Sequence, residues 1–270
     1  MIGRSELPPD YREWNKRWGA PFGYHVDQGL EYRHRLADEN PARYGPFGFY
    51  QTSLTRVYEY PWAFHVAEVE PGMRVIDVGG WLSGFQIALA RSGCHVTNVD
   101  PSDPQDTRWT TSHREDQATT AREQHSRYIA LFGAEVTLVE STLQDAELEA
   151  GTFDRIFAIS VLEHVSQQEA GSVLKAMGRL LAPGGRAVLS IDLFFDLPPF
   201  GPFERNFWGT NLDVGQLVKE SGLTMVQGDP HELHGFPEFD PDNIVKNIGS
   251  YNLSLLYPVV SQLLVLEKTS

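Results

Sequence analysis

Residues 73–91 read MRVIDVGGWLSGFQIALAR. An apolar run ends on Asp77, breaks into Gly79, Gly80 and Gly84, and resumes with helical spacing. This order predicts a strand, a glycine turn and a helix. Glycine lets a ligand approach the backbone closely and tolerates positive φ, which is how the first crossover of a nucleotide-binding α/β sheet is built. About twenty residues after the glycines a second short apolar run, 95–99, ends on Asp100, an acidic side chain placed to accept hydrogen bonds from ribose hydroxyls.

Outward from this stretch, apolar runs alternate with amphipathic segments, the pattern of a largely parallel sheet covered on both faces. Strands are expected near 73–78, 95–99, 134–139, 154–160, 185–191, 223–228 and 260–267, with helices near 83–92, 116–132, 167–182 and 212–221. Pro183, Gly184 and Gly185 read as a helix stop and a tight turn into the next strand. Before residue 70 aromatic residues are dense and prolines frequent, which permits only short helices. One is expected around 11–18 and another over about 52–69, kinked or broken at Pro61. Residues 229–257 are too long for an ordinary connection and read as a lid or a substrate wall.

Composition excludes several classes. The chain has 270 residues, 41% hydrophobic and 21% charged, and no stretch reaches the roughly 18 apolar residues of a membrane span. The net charge of −14 repels phosphate backbones and anionic surfaces, so neither a nucleic acid nor a membrane is expected as a partner. The first 60 residues balance eight basic against eight acidic side chains, and Arg12, Lys16, Arg17, Arg33 and Arg35 read as scattered solvated charges or as a local anion surface. Prolines and charges replace the apolar core of an export signal, and Cys94 is the single cysteine. Both fit a cytoplasmic setting.

Four pieces in order, VIDVGG at 75–80, NVD at 98–100, FDRIFAISVLEHV at 153–165 and LLAPGGRAVLSIDL at 180–193, carry a resemblance to the class I S-adenosylmethionine-dependent methyltransferases over about residues 70–228. The resemblance implies a doubly wound α/β fold: a seven-stranded, mostly parallel Rossmann-like sheet with its last strand antiparallel. An aromatic extension (1–70) is expected to cap the S-adenosylmethionine domain (71–270), with an insertion at 192–211 that helps shape the acceptor pocket and one at 229–257 that forms the lid or a substrate wall. It also implies S-adenosylmethionine as cofactor and S-adenosylhomocysteine as product. Asp77, Gly79 and Gly80 would lie beside the methionine moiety, and Asp100, followed by Pro101, beside the ribose. Thr142 and Leu143 would flank the adenine, and Ser160 and Val161 would line the sulfonium end. The family usually has a glycine where this chain has Trp81, so Trp81 is expected to redirect the loop and cover the ligand.

Glu163 and His164 follow the fourth strand at the carboxyl edge of the sheet, and His164 reads either as a general base or as part of a turn cap, with Asp192 and His234 as alternative bases. No metal is expected: Ser160 stands where some methyltransferases with a Glu-His pair place a further glutamate ligand, and His231, Glu232 and His234 lack the usual helical zinc spacing. Methyl transfer from a sulfonium releases a neutral thioether, so placement and exclusion of water can do most of the catalysis. The expected acceptor is a small molecule methylated on oxygen or nitrogen, a secondary metabolite or sugar-like compound. The alternatives are a silent S-adenosylmethionine-binding protein and an NAD(P)-dependent oxidoreductase, whose G-x-G-x-x-G fingerprint is interrupted by Trp81.

Overall fold

A computed structural model describes residues 1–24, 41–49, 52–101, 120–254 and 257–269. Arg33, Arg35 and the start of the helix expected from 116 lie outside them. The described elements are, in chain order, α1 (Pro9–Trp18), α2 (Pro41–Tyr44), α3 (Arg56–Val66), β1 (Arg74–Val78), α4 (Gly84–Arg91), β2 (His95–Val99), α5 (Ala121–Leu131), β3 (Val136–Val139), β4 (Phe153–Ile159), α6 (Gln167–Leu180), β5 (Leu181–Phe194), α7 (Val214–Ser221), β6 (Thr224–Gln227), α8 (Pro241–Lys246) and β7 (Val259–Glu267). The seven strands form one sheet in the order β3-β2-β1-β4-β5-β7-β6. β7 runs antiparallel to both β5 and β6, and the other pairs are parallel. The chain winds outward from β1 in both directions, so the switch point, and the crevice that binds ligands in such sheets, falls at the carboxyl ends of β1 and β4.

Period-two alternation splits the core. Ile76, Ile156, Ala158, Leu189 and Leu264 face α6 and α7, while Val75, Phe157, Val188, Leu263 and Val265 face Trp14, Trp62 and Phe85 on α1, α3 and α4. The long helix α6 starts as its sequence predicts: Ser166 and Glu169 form a reciprocal capping box.

Two expectations need correction. α3 runs unbroken from Arg56 to Val66 with Pro61 inside it. The carbonyl that Pro61 leaves without its usual helical donor is that of Val57, and the Asn15 side-chain amide of α1 donates to it at 2.7 Å. The strand expected from 185 begins at Leu181, and the Pro183–Gly185 turn is an irregularity inside β5. Backbone hydrogen bonds from Gly184 to Lys268 and from Lys268 to Gly185 hold it against the end of β7.

Candidate active site

The glycine turn after β1 is built as the sequence predicts. Gly79 has φ +64, and its amide donates to the Val99 carbonyl at 2.9 Å. A Cβ on Gly80 would stand 2.5 Å from Asp77 Oδ2 and 3.1 Å from Asn98 Oδ1, so glycine is required there. Asp77 is buried, and its Oδ2 has no partner among the described residues. Burial pushes its carboxyl up to about 8, and the nearby Asp100 charge adds to the shift.

Trp81 has φ +35, a left-handed conformation that explains why glycine suits this position and that strains a tryptophan. Its amide donates to Asp100 Oδ2 at 3.1 Å. Its carbonyl accepts from Gln86 Nε2 at 2.7 Å and Asn98 Nδ2 at 2.9 Å, and Gln86 Oε1 in turn meets His125 Nε2 at 2.8 Å. The half-buried ring packs against the cluster of Leu82, Ile87 and Tyr128. Trp81 thus straps the β1 turn to the β2 carboxylate through its backbone. Pro101, just beyond, is exposed.

Thr142 is half-buried and donates its hydroxyl to Asp145 Oδ2 at 2.6 Å. Leu143 is buried in the α6 face of the core. Just past β4, Ser160 has φ +48, and Val161 abuts the glycine turn closely enough that a Cβ on Gly79 would meet its Cγ2 at 2.9 Å. The β1 and β4 turns therefore share one crevice.

Beside it lies a polar cluster of which the sequence suggested only Ser160, Glu163 and Asp192. Glu59 on α3 is fully buried. It receives Arg56 Nη1 at 2.7 Å, Ser160 Oγ at 3.1 Å and Ser190 Oγ at 2.8 Å, and the Ser261 hydroxyl as well. Asp192 Oδ1 lies 3.2 Å from Ser160 Oγ and 3.4 Å from Ser261 Oγ, so it competes with Glu59 for the single proton of each hydroxyl. Burial, then Glu163, raises the Asp192 carboxyl well above the usual range. Glu163 is also buried, and neither of its oxygens makes a hydrogen bond of normal geometry among the described residues, the nearest donors being the Ser160 hydroxyl and its own amide. Burial pushes it up to about 7, with Arg56 pulling the other way. The sequence signal for Arg56 and Glu59 was an i,i+3 charge pair in an otherwise apolar, aromatic helix.

The histidines separate. His164 follows β4, and its Nδ1 bonds the Trp208 carbonyl, so that nitrogen carries the proton and holds the 195–211 loop. Its Nε2 is 3.9 Å from Glu163 Oε1, beyond hydrogen-bond reach. His234 instead bonds the Leu212 carbonyl through Nδ1, and its amide donates to Gln262 Oε1. Gln262 pairs with Ile191, whereas Ser261 pairs with Asp192, so Gln262 projects from the opposite face of the sheet to Asp192. The structure brings Asp192, Ser160 and Glu163 together and leaves His234 outside this group. No set of His, Cys, Asp or Glu side chains among the described residues could hold a metal ion.

A protein from Mycobacterium sp. (strain JLS) described as an uncharacterized methyltransferase is 28% identical over 170 residues, covering 63% of this chain and 57% of that one. A ubiquinone biosynthesis O-methyltransferase of Methylocella silvestris is 27% identical over 183 residues, covering 68% and 63%. These alignments span less than two thirds of either relative's own length. A geranyl diphosphate methyltransferase solved with GPP and sinefungin superposes with a TM-score of 0.55 at 13% identity, over 97% of this chain and 100% of that one. Residues 49–227, which hold α3, the glycine turn, the β2 carboxylate and the turn after β4, match the methyltransferase domain model, and the chain belongs to that family.

Proposed function

We propose that this protein transfers a methyl group from S-adenosylmethionine to a small-molecule acceptor, on oxygen or nitrogen, in a cytoplasmic setting. Residues 71–270 form the cofactor domain, 1–70 cap it, and 192–211 and 229–257 shape the acceptor side. The observation that carries this reading is the orphaned Asp77 Oδ2 at the Gly80 turn. A buried carboxylate oxygen without a donor is costly, and an amino-acid ammonium supplies the donor.

Asp77, Gly79 and Gly80 would hold the methionine moiety, and Ser160 and Val161 would border its sulfonium end. Asp100, oriented by the Trp81 amide, would take the ribose, while Thr142 and Leu143 flank the adenine. When bound, the cofactor supplies an electrophilic methyl and leaves as a neutral thioether. The chain's part is to align the acceptor, keep water out and provide a place for any proton released. The similar proteins include a ubiquinone biosynthesis O-methyltransferase and a geranyl diphosphate methyltransferase solved with GPP, which supports a small acceptor.

The test is calorimetric titration with S-adenosylhomocysteine and with NADH, followed by transfer of labelled methyl to pooled phenols, amines and acids. Binding of the thioether product with label transfer is expected. Binding of NADH alone overturns the reading in favour of an oxidoreductase, and product binding without transfer to any pool reduces it to a silent binder.

A further inference from the structure

The cluster under α3 is unbalanced. Glu59, Glu163 and Asp192 face a single guanidinium, that of Arg56, and all four groups are buried. Glu59 accounts for the Arg56 charge: Nη1 contacts both of its oxygens, at 2.7 and 3.0 Å. Asp192 has only the hydroxyls of Ser160 and Ser261, whose single protons it shares with Glu59, and Glu163 has its own amide and the same Ser160 hydroxyl nearby but no hydrogen bond of normal geometry, although both of its oxygens are sealed from solvent. Buried carboxyl groups persist in such a state only if they stay protonated or if a donor arrives. The surroundings narrow the identity of that donor. The described side chains offer no metal geometry. Tyr257, whose hydroxyl is pushed up to about 12 by burial and then by Asp192, stacks on Trp208 with ring centroids 5.1 Å apart. A cation beside two carboxyls and against aromatic faces gains from both.

Resting on the methyltransferase reading, we propose that Glu163 and Asp192 form a subsite for the ammonium group of an amine-bearing acceptor, with Trp208 and Tyr257 packing on its apolar body. Three N–H donors match the two Glu163 oxygens and the Asp192 carboxyl beside them, whereas a neutral alcohol offers one donor and no charge. The subsite sits next to the sulfonium end because Glu163 follows Ser160 and Val161, the residues that abut the Gly79 turn. The 206–210 segment roofs it: the Thr210 amide donates to the Glu163 carbonyl at 3.1 Å.

The probes are 2-phenylethylamine, 2-phenylethanol and magnesium chloride, each titrated calorimetrically into the full chain with and without S-adenosylhomocysteine. The amine should bind at least about tenfold tighter than the alcohol. Glu163→Gln should erase that difference while leaving the affinity for S-adenosylhomocysteine within about twofold. Asp192→Asn provides the same readout should the first variant fold poorly. Equal binding of amine and alcohol, no amine binding at up to about 10 mM, or an undiminished amine preference in both variants overturns the subsite. Saturable magnesium binding lost in Glu163→Gln overturns it in favour of a metal. Failure of S-adenosylhomocysteine to bind sinks the cofactor reading instead, and the titrations of the unloaded protein still decide the subsite.

Discussion

At the scale of single residues, the turn after β1 leaves little room for any side chain. Gly79 is required for its backbone, at φ +64, and Gly80 for its missing side chain. Gly80→Ala would drive a methyl group to 2.5 Å from Asp77 Oδ2, so either the carboxyl or the turn must shift. A loss of about 1–3 kcal/mol in stability is expected, with at least about tenfold weaker binding of S-adenosylhomocysteine. Thermal melting and titration calorimetry of the variant measure both, and unchanged values would show that the turn has slack. Both glycines, Asp77 and Asp100 were legible because strand, turn and acid are local in sequence. The role of Trp81 was not. Its family-atypical side chain drew attention, but its ring packs on α4 and α5 while its backbone does the positioning, through partners contributed by β2 and α4.

At the scale of elements, α3 makes the site more than a sheet edge. Its charged pair rests on hydroxyls from β5, β7 and the turn after β4. It therefore cross-links three strands to one helix. Removing one partner leaves the other charged in a dry place, and Glu59→Ala is expected to cost about 3–5 kcal/mol. Urea unfolding at constant m gives the number, and a loss below about 1 kcal/mol would mean that Arg56 finds solvent. The 195–211 loop is the second such link. A Cβ at Gly209 would lie 2.2 Å from the Glu163 carbonyl oxygen. Gly209→Ala should therefore lift the loop from the Glu163–His164 turn, lower stability by about 1–3 kcal/mol and expose Trp208, seen as a red shift and quenching of tryptophan emission. The sequence showed both segments as aromatic and proline-rich, but periodicity carries no information on which strand a helix crosses. The unbroken α3 also depends on Asn15, 42 positions from the carbonyl it satisfies.

At the scale of the whole molecule, stability should carry the signature of buried ionisable groups. An unfolded aspartate ionises near pH 4, whereas folded Asp77 holds its proton up to about 8. The native state binds the extra proton between these values, so this contribution is full at low pH, falls as pH rises and is gone above about 8. Glu163, held up to about 7, acts in the same direction. His125, pushed down to about 4 by burial, acts in the opposite one. Comparison with Asp77→Asn isolates the first term. Relative to the protein with Asp77, the variant should gain about 1–3 kcal/mol between pH 6 and pH 8.5, measured by urea unfolding at each pH. A pH-independent difference would place an ionised Asp77 in the fold.

The sequence by itself determined the sheet, its order of strand and helix, the glycine turn and the two acids at the carboxyl ends of β1 and β2, because each depends on periodicity or on neighbours within a few residues. It also carried enough of the family pattern to place Ser160 and Val161. Only the tertiary structure decided which polar side chains meet. Arg56 and Glu59 join Ser160, Asp192 and Ser261 across separations of up to about two hundred positions, while His234, a candidate base by composition, lands on the other face through Gln262. The physical reason is the two-residue period of β5 and β7. A shift of one position moves a side chain through the sheet, and the face that meets α3 is set by packing over the whole domain.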